Sequence, residues 1–263
     1  MQYQGSLQQT SITKRSFQGL RLLTKSILCS GVACGVCGLV FSGHAFADGG
    51  DYYIQGSLGA ALTDKTGSME IKDQTGDTEG FDSGDLGTGM VLDFGVGHEI
   101  TDDFRLDLTF NYRLGHEVNT YTNRIDTGGS AKGWLNSYGM MANATYDVVT
   151  FKMGNMDIKP YVSGGVGLAV NDLNDVRITV DGIPTRLKGK QKLDFAWQAG
   201  GGVGIGLSDT VTLDAGYRYS DLGSFESGKD LSALTTNQRA ILADPLEGDY
   251  TNHEIKIGLR YRF

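Results

Sequence analysis

The chain has 263 residues and sets 23 Lys and Arg against 31 Asp and Glu, an acidic balance that argues against nucleic acid as a partner. Its three cysteines, Cys29, Cys34 and Cys37, all precede residue 48, which excludes a disulfide-stapled fold for the remainder. No stretch after residue 47 is apolar enough for a transmembrane helix, so a membrane span there would have to be made of strands.

Residues 1–47 read as a secretory signal peptide. Lys14, Arg15, Arg21 and Lys25 form a basic leading region with no acid, and Ser26 to Phe41 is an apolar core. Ala45 and Ala47 offer the small side chains that a signal peptidase reads, so cleavage would leave residues 48–263 as the mature domain. The apolar core is Gly-rich and shorter than the ~20 residues of a spanning helix, which favours a removable signal over an anchor. Without its four basic residues, the mature part carries 19 Lys and Arg against the same 31 acids, a formal charge of −12.

From residue 52 onward apolar and polar side chains alternate in eight segments, with hardly any helical periodicity. Tyr52–Leu62 opens the series, with Tyr53, Gln55 and Ser57 on its polar face. Gly89–Ile100 sets Met90, Leu92, Phe94 and Val96 against Asp93 and Glu99. Phe104–Gly115 is the cleanest: six apolar residues from Phe104 to Leu114 alternate with Arg105, Asp107, Thr109, Asn111 and Arg113. Trp134–Val148 opposes Tyr138, Met140 and Tyr146 to Ser137, Asn143 and Asp147. Tyr161–Val170 is too Gly-rich to assign faces firmly. Phe195–Leu207 and Val211–Asp221 follow, the latter with Asp214 and Arg218 on its polar face. His253–Phe263 closes the series with Glu254, Lys256, Arg260 and Arg262 opposite Ile255, Ile257, Leu259, Tyr261 and Phe263.

Long connections after the odd-numbered segments and shorter ones after the even-numbered segments are how outer-membrane barrels are built, with tight turns in the periplasm and long loops outside. The pattern predicts an all-β fold: an eight-stranded antiparallel up-and-down transmembrane β-barrel. A soluble barrel would show the same alternation. The membrane reading rests on aromatics near strand ends, at Tyr52, Phe104, Tyr112, Trp134, Tyr146, Phe195, Tyr219 and Phe263, where interfacial girdles sit. It places Arg105, Arg113, Arg218, Lys256, Arg260 and Arg262 inside, beside Asp93, Glu99, Asp107, Asp214 and Glu254, as a charge network filling a narrow lumen.

These residues resemble the OmpA/OmpX-like and opacity-protein-like outer-membrane barrels of Gram-negative bacteria. The likeness is carried by "ITDDFRLDLTFNYRL", "KPYVSGGVGLAV", "FAWQAGGGVGIGLSDTVTLDAGYRYSDLG" and the closing "IKIGLRYRF". The resemblance implies export to the outer membrane, contact with its lipid and lipopolysaccharide, and recognition by the barrel-assembly machinery. In that family the C-terminal strand carries the assembly signal, a role that falls here on Ile257, Leu259, Tyr261 and Phe263. No peptidoglycan-binding domain follows the barrel, so a tether to the cell wall is not implied.

Four further stretches carry expectations of their own. The connection Thr63–Thr88 is acidic, with Asp64, Glu70, Asp73, Asp77, Glu79, Asp82 and Asp85, but lacks the spacing of a Ca²⁺ loop and reads as solvated. Asp181-Gly182 is a hairpin-turn signal, so strands five and six should run on together beyond the membrane. Arg186, Lys188, Lys190 and Lys192 would give that hairpin a basic patch. Leu231–Pro245 has near-helical apolar spacing and suggests a short surface helix.

For catalysis the mature part offers only His98, His116 and His253, with the last two placed on opposite sides of the barrel, so no catalytic triad, metal group or cofactor site is assembled. The sequence therefore points to a non-enzymatic barrel acting through its loops on a host or environmental ligand, as a surface antigen or adhesin-like protein. A narrow porin-like diffusion channel is the alternative, and a lipid-modifying enzyme the remoter one.

Overall fold

The computed structural model describes residues 51–263 apart from 64–68, 73–77, 82–86, 122–129, 155, 181–182, 235–238 and 242–244. Eight long strands make the barrel: β1 (Tyr52–Thr63), β2 (Thr88–Glu99), β3 (Phe104–Tyr121), β4 (Ser130–Asp147), β5 (Met156–Leu173), β6 (Lys190–Gly206), β7 (Val211–Glu226) and β8 (Glu247–Arg262). Each pairs antiparallel with the next in sequence, and β8 returns to β1 in a ladder running from Tyr53↔Arg262 to Thr63↔Asn252. Closure satisfies the backbone N–H and C=O groups of the wall internally, the condition for crossing a bilayer with strands.

The apolar faces point outward. Ile54, Leu58, Phe94, Leu106, Leu108, Val162, Val166, Ile255, Ile257 and Leu259 are all exposed on the wall. Tyr52, Trp134, Tyr146, Phe195 and Phe263 are exposed near the strand ends, whereas Phe104, Tyr112 and Tyr219 are half-buried. His253 also lies on this outer face, bonded to the Tyr217 hydroxyl and edge-on to Tyr219 with ring centroids 5.2 Å apart.

Two bulges interrupt the alternation. In β3 the register against β4 shifts between Arg113 and His116, where Gly115 takes φ +82°. The extra residue turns His116 inward, so it is buried on the same side as Arg113, rather than at a strand end opposite the eighth strand as its position in the sequence suggested. In β7 the register shifts between Asp221 and Ser224 at Gly223, φ +76°, and both Leu222 and Phe225 end up buried.

The strands outrun their predicted lengths, mostly at the loop ends. β5 and β6 pair as far as Leu173↔Lys190 and stop there. Beyond them Val176–Val180 and Ile183–Leu187 pair with each other as a hairpin, but the first strand also pairs with the start of β4 (Ala131↔Ile178) and the second with Asp230–Ala233 (Leu187↔Leu231). The predicted straight extension thus becomes a small sheet folded over the mouth. The expected helix is not formed among the described residues: Asp230–Ala233 and Arg239–Ile241 are paired strands, because Leu231 joins the apolar cluster under this sheet. The acidic connection holds a two-stranded pair, Met69–Lys72 with Thr78–Phe81; Asp64, Asp73, Asp77, Asp82 and Asp85 lie outside the described residues.

Space around Gly115 is open, with no heavy atom within 4 Å of an added Cβ. Gly115→Ala should therefore cost only its left-handed backbone, about 1–2 kcal/mol, and Gly115→Asn less. Urea unfolding of the purified protein in lipid vesicles measures both.

Candidate functional site in the barrel lumen

From the periplasmic end upward the lumen is filled in tiers. In the lowest, Arg105 Nη1 meets Asp147 Oδ1 at 2.5 Å, and Arg260 lies 3.4 Å from both Glu99 and Asp214. Arg262 reaches Glu99 at 3.3 Å and donates to the Asp209 carbonyl at 2.8 Å, but its side chain is 44% exposed and marks the rim rather than the interior. The guanidiniums of Arg105 and Arg260 sit over the rings of Tyr161 and Tyr53, 5.2 and 5.5 Å from their centroids. Gly97 makes room for the Tyr53 ring, whose Cζ lies 2.3 Å from where a Cβ would stand.

Above this tier is a polar chamber of about 100 Å³, lined among others by Ser57, Asp107, Asn143, Tyr161 and Gln198. Asp107 is held here by neutral donors: Thr109 and Asn143, each at 2.7 Å, and the Tyr53 hydroxyl at 3.1 Å.

The second charge tier is the tightest. Glu254, fully buried, accepts from Arg113 Nε and Arg218 Nε, both at 2.7 Å. Asp93 takes Lys256 Nζ at 2.6 Å, Arg218 Nη1 at 3.1 Å, Asn111 Nδ2 at 2.6 Å and Ser57 Oγ at 3.1 Å. Three cations thus share two carboxylates, and every pairing joins different strands. Taking such charges out of water is costly unless each finds partners of good geometry.

Higher still, His116 donates from Nε2 to the Ala61 carbonyl at 3.3 Å and accepts at Nδ1 from the Tyr250 hydroxyl at 2.7 Å, an arrangement that suits the neutral imidazole. Its ring fills the slot over Gly89, where a Cβ would lie 2.5 Å from Cε1. Asn171 accepts from Ser137 Oγ at 2.8 Å and donates to the Leu222 carbonyl at 2.8 Å.

The extracellular mouth is apolar. Inward-facing Leu135, Met141, Ala169, Leu173, Ala196, Leu222 and Phe225 pack with Val176, Ile178 and Leu187 of the overlying hairpin and with Leu246 and Tyr250 into one buried cluster. Outside it, three of the four cations expected to form a basic patch are engaged by acids: Lys192 Nζ lies 2.6 Å from Glu247 and 3.9 Å from Asp194, Lys190 pairs with Glu226, and Arg186 lies 3.7 Å from Asp175.

Of the residues chosen from sequence, Asp93, Glu99, Arg105, Arg113, Asp214, Arg218, Glu254, Lys256 and Arg260 are brought into ion pairs inside the barrel. Asp107 stands among neutral groups, and Arg262 lies at the rim. Ile257, Leu259, Tyr261 and Phe263 line one outward face of the chain's end. Ala45 and Ala47 lie outside the described residues. Asp147, Tyr53 and Tyr161 join this network as well: alternation puts the first two on inward faces, but no local signal marks them as partners of Arg105 and Arg260. The members of the apolar stopper carry no such signal either, since they look like any other hydrophobic residues.

Glu254→Gln should leave Arg113 and Arg218 short of a countercharge in a dry tier, at a cost of about 3 kcal/mol or more. The unfolding midpoint, and the temperature at which the folded band is lost on an unboiled SDS gel, should both fall sharply; Arg262→Gln, at the exposed rim, should barely move either.

Residues 35–263 match the family described as outer membrane protein β-barrel domain. The outer membrane protein PagN of Salmonella typhimurium is 28% identical over 146 residues, 51% of this chain and 58% of PagN, so the match spans little more than half of that relative. An uncharacterized protein of Brucella abortus is 25% identical over 247 residues, covering 81% of this chain and 84% of the relative. The crystal structure of the outer membrane protein OprG from Pseudomonas aeruginosa aligns with 82% of this chain and 97% of its own, with a TM-score of 0.52 at 15% identity, a likeness of fold alone. Matched along nearly its whole length and folded as a closed eight-stranded barrel, the chain belongs to the outer membrane protein β-barrel domain family, and its place is the outer membrane of a Gram-negative bacterium.

Proposed function

We propose that the protein is a non-conducting, non-enzymatic barrel that acts through its extracellular surface, as a surface antigen or adhesin-like protein. The observation that carries this reading is the double closure of the lumen: two tiers of ion pairs beneath an apolar stopper whose members, from Leu135 to Tyr250, are at most 7% exposed. A conducting path needs continuous hydrated cross-section, and eight strands leave little of it. The chamber between the charge tiers, about 100 Å³, has room for only a few waters and lies beneath the apolar stopper.

The histidines support the non-enzymatic side of the reading. His98 bonds the Asp51 carbonyl at the periplasmic rim, His116 is enclosed between Ala61 and Tyr250, and His253 faces outward against Tyr217. Among the described residues, the contacts of these histidines do not bring a serine and a carboxylate into the geometry that acyl transfer requires. The partners in this reading are lipopolysaccharide around the wall and a host or environmental ligand at the loops. Export would remove residues 1–47 after Ala45 and Ala47, and the assembly machinery would take the chain by Ile257, Leu259, Tyr261 and Phe263.

Single-channel recording in planar bilayers tests the main point: the intact protein should show no steady openings, and sustained conductance would overturn it. Charge removal alone should not open the lumen. Replacing both Arg218 and Asp214 with Ser leaves the stopper in place, so the variant should stay silent, whereas shortening the 174–189 connection to remove the hairpin as well should produce openings. Deleting Phe263 should lower the amount of heat-modifiable barrel recovered from outer membranes several-fold, against little change for Arg262→Gln.

A further inference from the structure

The turn between β4 and β5 is not a tight polar turn. After Asp147, whose N–H donates to the Asp103 carbonyl at 2.8 Å, the chain leaves β3 behind and continues as a hairpin on the periplasmic side. Phe151–Met153 pairs with the first residues of β5, Phe151↔Ile158, Lys152↔Asp157 and Met153↔Met156, and Gly154 takes φ +64° at its tip. Val148 N–H donates to the Pro160 carbonyl at 2.8 Å, joining this hairpin to the wall above. Phe151–Met153 is also the outermost strand of its sheet on that side.

Cross-strand partners share a face, and so do alternate residues of one strand. Phe151, Met153, Met156 and Ile158 therefore lie on the face that carries Val162 and Val166 in β5, the lipid-facing side of the barrel. Lys152 and Asp157 lie on the opposite face, the one that continues the lumen side. Phe151 is 54% exposed, Met153 62% and Met156 42%, and Val148 beside them is 56% exposed. A turn that merely reversed the chain in water would gain nothing from four large apolar side chains; leaving them hydrated forgoes roughly 25 cal/mol for each Å² they could bury.

We propose that this hairpin is a membrane-interface anchor whose outward face seats in the periplasmic leaflet, with phospholipid as its occupant. Continuity decides the occupant: the apolar face is the unbroken downward extension of a surface already in contact with acyl chains. It passes the level of Tyr146, the aromatic at the end of β4, so it reaches through the headgroup zone on this one side of the barrel. The anchor fixes the depth of the barrel at one point of its rim, where the remaining periplasmic turns, Thr101–Asp103 and Ser208–Thr210, are short and polar.

The test uses the full chain, purified from outer membranes and reconstituted in vesicles of phosphatidylethanolamine and phosphatidylglycerol, some with acyl chains brominated near the headgroup. Phe151→Trp adds one indole to Trp134 and Trp197, and Lys152→Trp places the same probe on the opposite face. The extra emission of the Phe151→Trp protein should be blue-shifted, at least two-fold more quenched by brominated lipid than that of the Lys152→Trp protein, and shielded from acrylamide. Met156→Trp gives a second reading on the outward face if Phe151→Trp folds poorly. Equal quenching on both faces, or an indole at 151 that acrylamide reaches freely, would overturn the proposal. So would an indole shielded from acrylamide only after periplasmic extract is added, since a protein would then be the occupant.

Discussion

Everything in this molecule follows from one ladder of hydrogen bonds, the pairing of β1 with β8. A strand crossing lipid with a free edge would leave unpaired N–H and C=O groups where no water can reach them, at several kcal/mol for each group. Joining Tyr53 to Arg262 and Thr63 to Asn252 removes that edge and, by closing the sheet, creates an inside. Once there is an inside, side chains that alternate along each strand are divided between two solvents. Apolar residues face acyl chains, and polar ones face a lumen too narrow to hydrate them fully.

The lumen therefore has to solve a problem of charge in confinement. Its answer is pairing across strands: Glu254 of β8 is shared by Arg113 of β3 and Arg218 of β7, and Asp93 of β2 by Lys256 and Arg218. Arg218–Glu254 joins the adjacent β7 and β8, and the other three pairs tie together strands that are not neighbours in the wall, so they brace the barrel from within. A buried ion pair is weak evidence for net stability, because desolvation offsets most of its attraction; its stronger effect is to penalise any register that leaves a charge alone. The apolar stopper works differently. Burial of Leu135, Leu173, Leu222 and Phe225 beneath Val176, Ile178 and Leu187 gives the upper lumen an ordinary hydrophobic core, and it anchors a loop hairpin over the mouth. Ion pairs fill the lower lumen, and apolar packing fills the upper.

Much of this was legible in the chain itself. The strict alternation of Phe104–Leu114 leaves room for nothing but a strand, and eight such segments with connections of alternating length specify an up-and-down barrel. The same alternation assigns Arg113, Asp93 and Glu254 to one face. Illegible were the places where a local rule is overruled by a distant partner. Leu231 sits in a stretch with helical spacing, yet it pairs with Leu187 and joins the cluster under the hairpin. Arg186, Lys188, Lys190 and Lys192 look like a basic patch, yet Arg186 pairs with Asp175 of its own connection, and Lys190 and Lys192 pair with the distant Glu226 and Glu247. Phe151–Met153 falls in what looks like a loop between strands, yet it pairs with the start of β5.

The sequence by itself determined the fold class, the number of wall strands and the division of side chains between lipid and lumen, because a period of two is a local property that survives any arrangement of the strands. Only the tertiary structure decided which cation meets which carboxylate, that His116 turns inward to Tyr250, and that apolar residues close the mouth. Those outcomes depend on register between segments as far apart as Arg113 and Glu254, 141 positions along the chain, and on bulges at Gly115 and Gly223 that shift the alternation by one residue. A one-residue shift exchanges inside for outside, and periodicity carries no information about where such a shift occurs.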